Sequence, residues 1–221
     1  MSAISKRLLW VSLATLAVCV LLGLYVGLYL LNVPGSAAAV RSADGVHLYL
    51  GTVPAAELTD PHPTWVSYYS VDANSGHWRH VTTYVLPAHS LIHVTIYNYD
   101  GQTGLRNPFL AQSQGTTTGN FQLDGKPTQA IGADGASHVF AIPQLGVSVP
   151  VQGVADDAKN PCANAPCPLT TDHTSTTFTF RTGDPGYFRW QCFVPCAAGF
   201  IGGVGGPMSQ VGYMDGFIKV V

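Results

Sequence analysis

Residues 8–31 carry no charged side chain and are dominated by Leu, Val, Ala and Gly. A helix of that length reaches about 36 Å, enough to cross a hydrocarbon core of about 30 Å with some tilt. Beyond it the pattern changes. Short runs rich in Val, Ile, Thr and aromatic residues recur at 65–71, 80–86, 91–97, 138–142, 175–180, 186–192 and 216–221, each bounded by Gly, Pro, Asp or Asn. Within 175–180 (Ser-Thr-Thr-Phe-Thr-Phe) the alternation is that of a strand with one buried face. No amphipathic helix of ten or more residues is evident outside 8–31. Strands that follow one another without helices predict an all-β antiparallel sandwich or barrel. The expected organisation is a short tail (1–7), one transmembrane helix (8–31), a linker (32–45) broken by Pro34-Gly35, and a single β domain (46–221).

A cleaved secretory leader is the alternative for the first segment, with Lys6-Arg7 as its charged start and Ser36-Ala37-Ala38-Ala39 as a place to cut. Secretory apolar cores span only about 7–15 residues, so an uncleaved anchor is the expected reading. Lys6 and Arg7 precede the helix, which predicts a cytoplasmic N-terminus, a single pass through the cell membrane and a C-terminal domain outside. Cys19, Tyr25 and Tyr29 then read as packing and interface residues.

Composition narrows the function. Only 10% of residues are charged, 47% are hydrophobic, and 24 Gly and 15 Pro mark many turns. Ten basic residues face twelve acidic ones, which excludes the basic excess of a nucleic-acid binder. The low charge also argues against a coiled coil or an acidic disordered tail.

Four of the five cysteines fall in the outer domain, as Cys162-x4-Cys167 and Cys192-x3-Cys196. The first pair lies in a Pro-rich segment with no His or Met beside it and reads as a small-loop disulfide. The second follows a strand-like run and enters a Gly-rich stretch leading to Met208 and Met214. His138 opens another strand-like run about fifty residues upstream. One imidazole with thiolates and a thioether is the donor mixture that soft copper prefers.

These segments resemble subunit II of cytochrome c oxidase, the haem–copper terminal oxidase family. His138-Val-Phe140-Ala-Ile-Pro143 is similar to the family's His-x-Phe-x-x-Pro run. The stretch from Phe178 to Cys192-x3-Cys196 is similar to its strand entering the copper loop, and Tyr213-Met214-Asp215-Gly216 to the start of its closing strand. The resemblance spans roughly 86–221 plus the anchor. It implies a cupredoxin-like Greek-key sandwich, copper as cofactor, and His138, Cys192, Cys196 and Met214 as metal ligands. It further implies respiratory electron transfer beside a haem–copper catalytic subunit, with cytochrome c or another donor as partner, in a chain that is not catalytic alone.

One departure matters. The family places a His and a Met after the second Cys, where this chain has Phe200 and Gly203; if Met214 is the matching Met, the His position falls on Val211. No histidine follows His173. Three states of Cys192 and Cys196 therefore stay open: an altered copper site completed by Met208 or by a His from elsewhere, a disulfide in a copper-free structural subunit, or free thiols that bind copper transiently. The rival function is a stand-alone, membrane-tethered copper electron carrier or a copper-handling assembly protein.

Other signals are weak. His77 and His80 would point to opposite faces of a strand, and His89 and His93 would lie about 13 Å apart on an extended segment. His47, His62 and His173 are scattered. The run 199–207 lacks the Lys-Ser/Thr of a phosphate loop and reads as a turn or, through Phe200, Ile201 and Val204, an apolar docking surface. Hydrolase signatures are missing, and Glu57 is the single Glu in the chain.

Overall fold

A computed structural model describes residues 3–27, 35–56, 65–72, 74–159, 162–196 and 206–221. The chain forms two units, 1–34 and 35–221. Glu57, His62, Phe200, Ile201 and Val204, with most of the Gly-rich run, lie outside the described residues.

The first unit is helix α1 (Ala3–Tyr25), apolar on every side, with Lys6 and Arg7 as its only charges. It begins five residues before the expected span. The segment Lys6–Tyr25, 20 residues and none of it buried, is long and apolar enough to cross a membrane. Thr15 returns its hydroxyl to the Val11 carbonyl at 3.0 Å, so the helix presents little unsatisfied polarity.

The second unit is an all-β sandwich of two sheets. One contains β1 (Ser36–Ala38), β6 (Thr83–Leu86), β10 (Ala136–Ile142), β11 (Val147–Gln152), β13 (Gly186–Gln191) and β14 (Asp215–Val220) in the order β1-β6-β14-β13-β10-β11. The other contains β3 (Gly45–Ala56), β4 (Trp65–Asp72), β5 (His77–Arg79), β7 (Leu91–Asn98), β8 (Phe121–Leu123), β9 (Lys126–Thr128) and β12 (Thr174–Arg181). Its order is β5-β4-β3-β7-β12-β8-β9, with β2 (Val40–Ser42) added to β3. Every strand-like run of the sequence coincides with one of these elements.

Two features differ from the expectation. Strands β1 and β2 lie inside the stretch expected as linker, because Ser36–Ala38 pairs with β6 and Val40–Ser42 with β3. The sheets are also not purely antiparallel: β1/β6, β6/β14 and β3/β7 are parallel pairs. Parallel neighbours require long connections, and a period-2 pattern carries no information about them.

The two inner faces meet in an aromatic core. Trp190 of β13 stacks on Phe140 of β10 at 5.2 Å and on Tyr84 of β6 at 5.8 Å, while Tyr68 of β4 meets it edge-on at 4.9 Å. All four are completely buried. The Trp190 indole donates to the Thr82 carbonyl at 2.8 Å. Phe217 donates to the same oxygen, and Gly216 makes that approach possible, since a Cβ there would collide with the Thr82 carbonyl. This packing fixes β13 against β14, and the loop between those two strands carries the sulfur atoms.

Candidate metal centre

His138 sits on β10, one position from where its register with β11 shifts between Ala136 and His138. Such a bulge re-aims a side chain. Here the imidazole is directed into the sandwich interior, where it is completely buried and Tyr68 from the opposite sheet meets its ring edge-on at 6.1 Å.

Cys192 follows β13 directly, and β13 is the neighbour of β10 through Ala141 and Gln191. The Cys192 amide donates to the Met214 carbonyl at 2.9 Å, which extends the β13/β14 ladder by one step. Its sulfur accepts from the Val139 amide at 3.4 Å, beside His138. The chain then reverses: the Cys196 amide donates to the Val194 carbonyl at 2.7 Å, two residues back. That is a γ-turn with Pro195 at its centre, a position the fixed φ of proline suits. The turn brings the Cys196 sulfur to 3.6 Å from that of Cys192, and both cysteines are free. A ligand atom from each of His138, Cys192 and Cys196 lies within 4.8 Å of the other two, and this is the one such group among the described residues.

Methionine sulfur joins them. Cys196 donates to Met208 Sδ at 3.1 Å. Met208 lies in a short 3-10 turn, Pro207–Ser209, held by Gln191 Nε2, which donates to the Met208 carbonyl at 2.8 Å, and by the Met214 amide, which donates to that of Pro207 at 3.1 Å. Met214 is completely buried in the same core, and its backbone is what bonds Cys192.

The electrostatics favour an ion pair. Burial opposes a Cys192 thiolate, but the Cys196 thiol, His138 and the Val139 amide outweigh it and bring the pKa down to about 5. The Cys192 thiolate and burial push Cys196 up, so the pair holds one proton. Burial opposes a charged His138 as well, yet Asp100 and Cys192 raise it to about 9. His138 Nε2 lies 3.1 Å from Asp100 Oδ2, an ion-pair contact off the line of a good hydrogen bond. Neither ring nitrogen has a hydrogen-bond partner among the described residues, and the buried Tyr68 hydroxyl is likewise unpartnered.

An imidazole without hydrogen bonds beside two free cysteines and a thioether is a donor set that fits copper. Thiolate–metal bonds of about 2.3 Å let one ion touch both sulfurs at their 3.6 Å separation. Reasoning from the sequence did not single out Asp100, Tyr68 or Gln191. Asp100 carries no motif and follows β7 in an Asn98-Tyr99-Asp100-Gly101 turn, so only the fold brings it to His138.

Among the described residues no other histidine joins the centre. His77 is exposed, and His80 bonds the Ser67 hydroxyl at 2.7 Å. His93 stacks on His47 across β3/β7 at 5.0 Å, not on His89. Cys162 and Cys167 form the disulfide expected of them.

No protein-family model matches the chain, and no curated protein matches it. Among solved structures, rusticyanin from Thiobacillus ferrooxidans is similar at 16% identity, covering 86% of this chain and 85% of its own, with a TM-score of 0.32. Another rusticyanin structure, described as that of a copper protein, is similar at 17% identity over 83% of this chain and 86% of its own, with a TM-score of 0.33. Auracyanin B is 17% identical over 86% of this chain and 99% of its own, with a TM-score of 0.26.

Proposed function

We propose that this chain is a membrane-anchored copper protein of the cupredoxin kind that relays single electrons. The cluster of His138 and Cys192, both completely buried, with the half-buried Cys196 beside them carries the proposal. Bound copper would supply a one-electron couple; the residues that would hold it are His138, Cys192, Cys196 and Met208, with Met214 behind Cys192 as the ligand implied by family resemblance. Four donors are enough to enclose one ion, so the missing second His points to a single copper and not to a dinuclear centre.

The chain's own contribution is to hold these donors still. His138 is fixed by β10 and Asp100, Cys192 by the Val139 amide and the Met214 carbonyl, Cys196 by its turn and Met208 by Gln191. Preset positions keep rearrangement small when the charge at the centre changes, and complete burial keeps water from His138 and Cys192.

Titrating the reduced full-length chain with copper tests this reading. One copper per chain with thiolate-to-copper absorption is expected. A colourless protein in which Cys192 and Cys196 are found bridged overturns it. The oxidase version, subunit II of a haem–copper enzyme fed by cytochrome c or another donor, is supported by the resembling segments and by an apolar helix able to anchor the chain. Haem-containing subunits that co-purify with the chain from membranes support it; a chain that loads copper and purifies alone supports the stand-alone carrier.

A further inference from the structure

We propose that Asp100 is the positioning residue of the metal centre, its carboxylate engaging His138 Nε2 so that Nδ1 is presented to the metal. The inference rests on the copper reading for its metal-bound consequences, but its geometry does not depend on a metal.

The contact is specific. Asp100 Oδ2 lies 3.1 Å from the Nε2 atom of a histidine that is completely buried, and Asp100 itself is mostly buried. Asp100 is anchored independently of His138. Its other oxygen, Oδ1, accepts from the Gly101 amide at 2.8 Å, and its own amide donates to Asn98 Oδ1 at 3.2 Å. Asn98, fully buried, donates through Nδ2 to the carbonyls of Asp100 at 2.9 Å and Gln152 at 2.8 Å, and it accepts from the Thr52 hydroxyl. The Val154 amide donates to the Asp100 carbonyl at 2.9 Å, and a Cβ at Gly153 would collide with the Gln102 backbone, so the turn lies close against the chain following β11. A short network running Thr52–Asn98–Asp100–His138 thus ties one sheet to the ligand on the other.

Metal-bound histidines need their second nitrogen held, which fixes ring orientation and raises donor strength. A carboxylate does both, and its negative charge stabilises the more highly charged oxidised ion. Among the described residues, Asp100 is the carboxylate that contacts His138.

The test uses the reduced full-length chain and the variants D100N, which keeps an acceptor without the charge, D100A, which removes both, and D100E, which restores the charge. Unchanged thermal unfolding establishes that each is folded. Copper affinity, measured by competition with a chelator, is expected to fall about ten- to hundredfold in D100A and to recover in D100E. In D100N the loss is expected to be greater for Cu(II) than for Cu(I), and each tenfold difference reads as a rise of about 59 mV in midpoint potential. In the metal-free chain, a crystal structure is expected to keep Asp100 Oδ2 about 3.1 Å from His138 Nε2, and the D100A crystal structure to show the ring turned away from its wild-type orientation. Folded variants with wild-type affinity and potential overturn the proposal, as does a D100A ring that keeps its wild-type orientation. A chain that binds no copper but whose ring turns in D100A defeats the copper reading and leaves the positioning role standing.

Discussion

Cys162 and Cys167 stand five residues apart and Cys192 and Cys196 four, yet the first two are bonded and the second two are not. The first pair lies in a loop against Tyr99, whose hydroxyl donates to the Cys167 and Pro168 carbonyls at 3.4 and 3.3 Å. Among the described residues it belongs to no group of three metal-ligating side chains. The second pair, with Cys192 buried and Cys196 half-buried, has His138 and the Met208 sulfur beside it as further donors. Spacing alone does not separate a staple from a ligand pair. What separates them is which strands flank the loop and what those strands aim at it.

The most decisive way to break this comparison is to exchange the pairs' fates. Replacing Cys192 by Ser is expected to abolish thiolate-to-copper absorption and to cost at least about a hundredfold in affinity, whereas C162S/C167S leaves copper binding at the wild-type level. Copper analysis with visible spectroscopy on both variants checks it. The stability readout reverses the order: closing so short a loop contributes about 2 kcal/mol through the unfolded state, so C162S/C167S is expected to lower the denaturant midpoint accordingly.

A pH titration sharpens the contrast further. With its folded pKa near 5, well below that of an ordinary thiol, Cys192 contributes stability that is full above the unfolded value and is lost as pH falls through 5. His138, raised to about 9, contributes stability that is full below 6.5 and is lost as pH rises through 9. The ion pair therefore spans about pH 5 to 9 in the reduced, metal-free chain. The thiolate ultraviolet absorbance that wild type shows and C192S lacks should disappear with a midpoint near pH 5; a midpoint near 8.5 would remove the ion pair from the account. The smallest expected effect is that of M208L, a volume-conserving change that keeps the turn and removes one soft donor. It should weaken Cu(I) about severalfold without altering unfolding.

Local pattern and remote contact are written into this chain to different degrees. Residues 91–97 and 175–180 alternate cleanly and became the paired strands β7 and β12, within one residue at each end. By contrast β3 is hard to read from its pattern: Val46 to Leu50 alternates, but Gly51 and Pro54 interrupt the run, and its pairing with β7 is parallel and remote. His138 and the Cys192/Cys196 pair were visible because their residue types advertise chemistry. Asp100 was not, for an Asp before a Gly reads as a turn in any protein, and only the Asn98 network turns it toward the imidazole.

The pairing of β14 with β6 carries a kinetic consequence. The Gly212 amide closes on the Thr82 hydroxyl 130 positions earlier, so the loop bearing the sulfurs is completed only by contacts between distant parts of the chain. Such non-local closures form slowly. Until that closure the nascent thiols stand open to oxidants, and the order of events, folding before oxidation, decides whether the mature protein carries a pocket for metal or a second bridge.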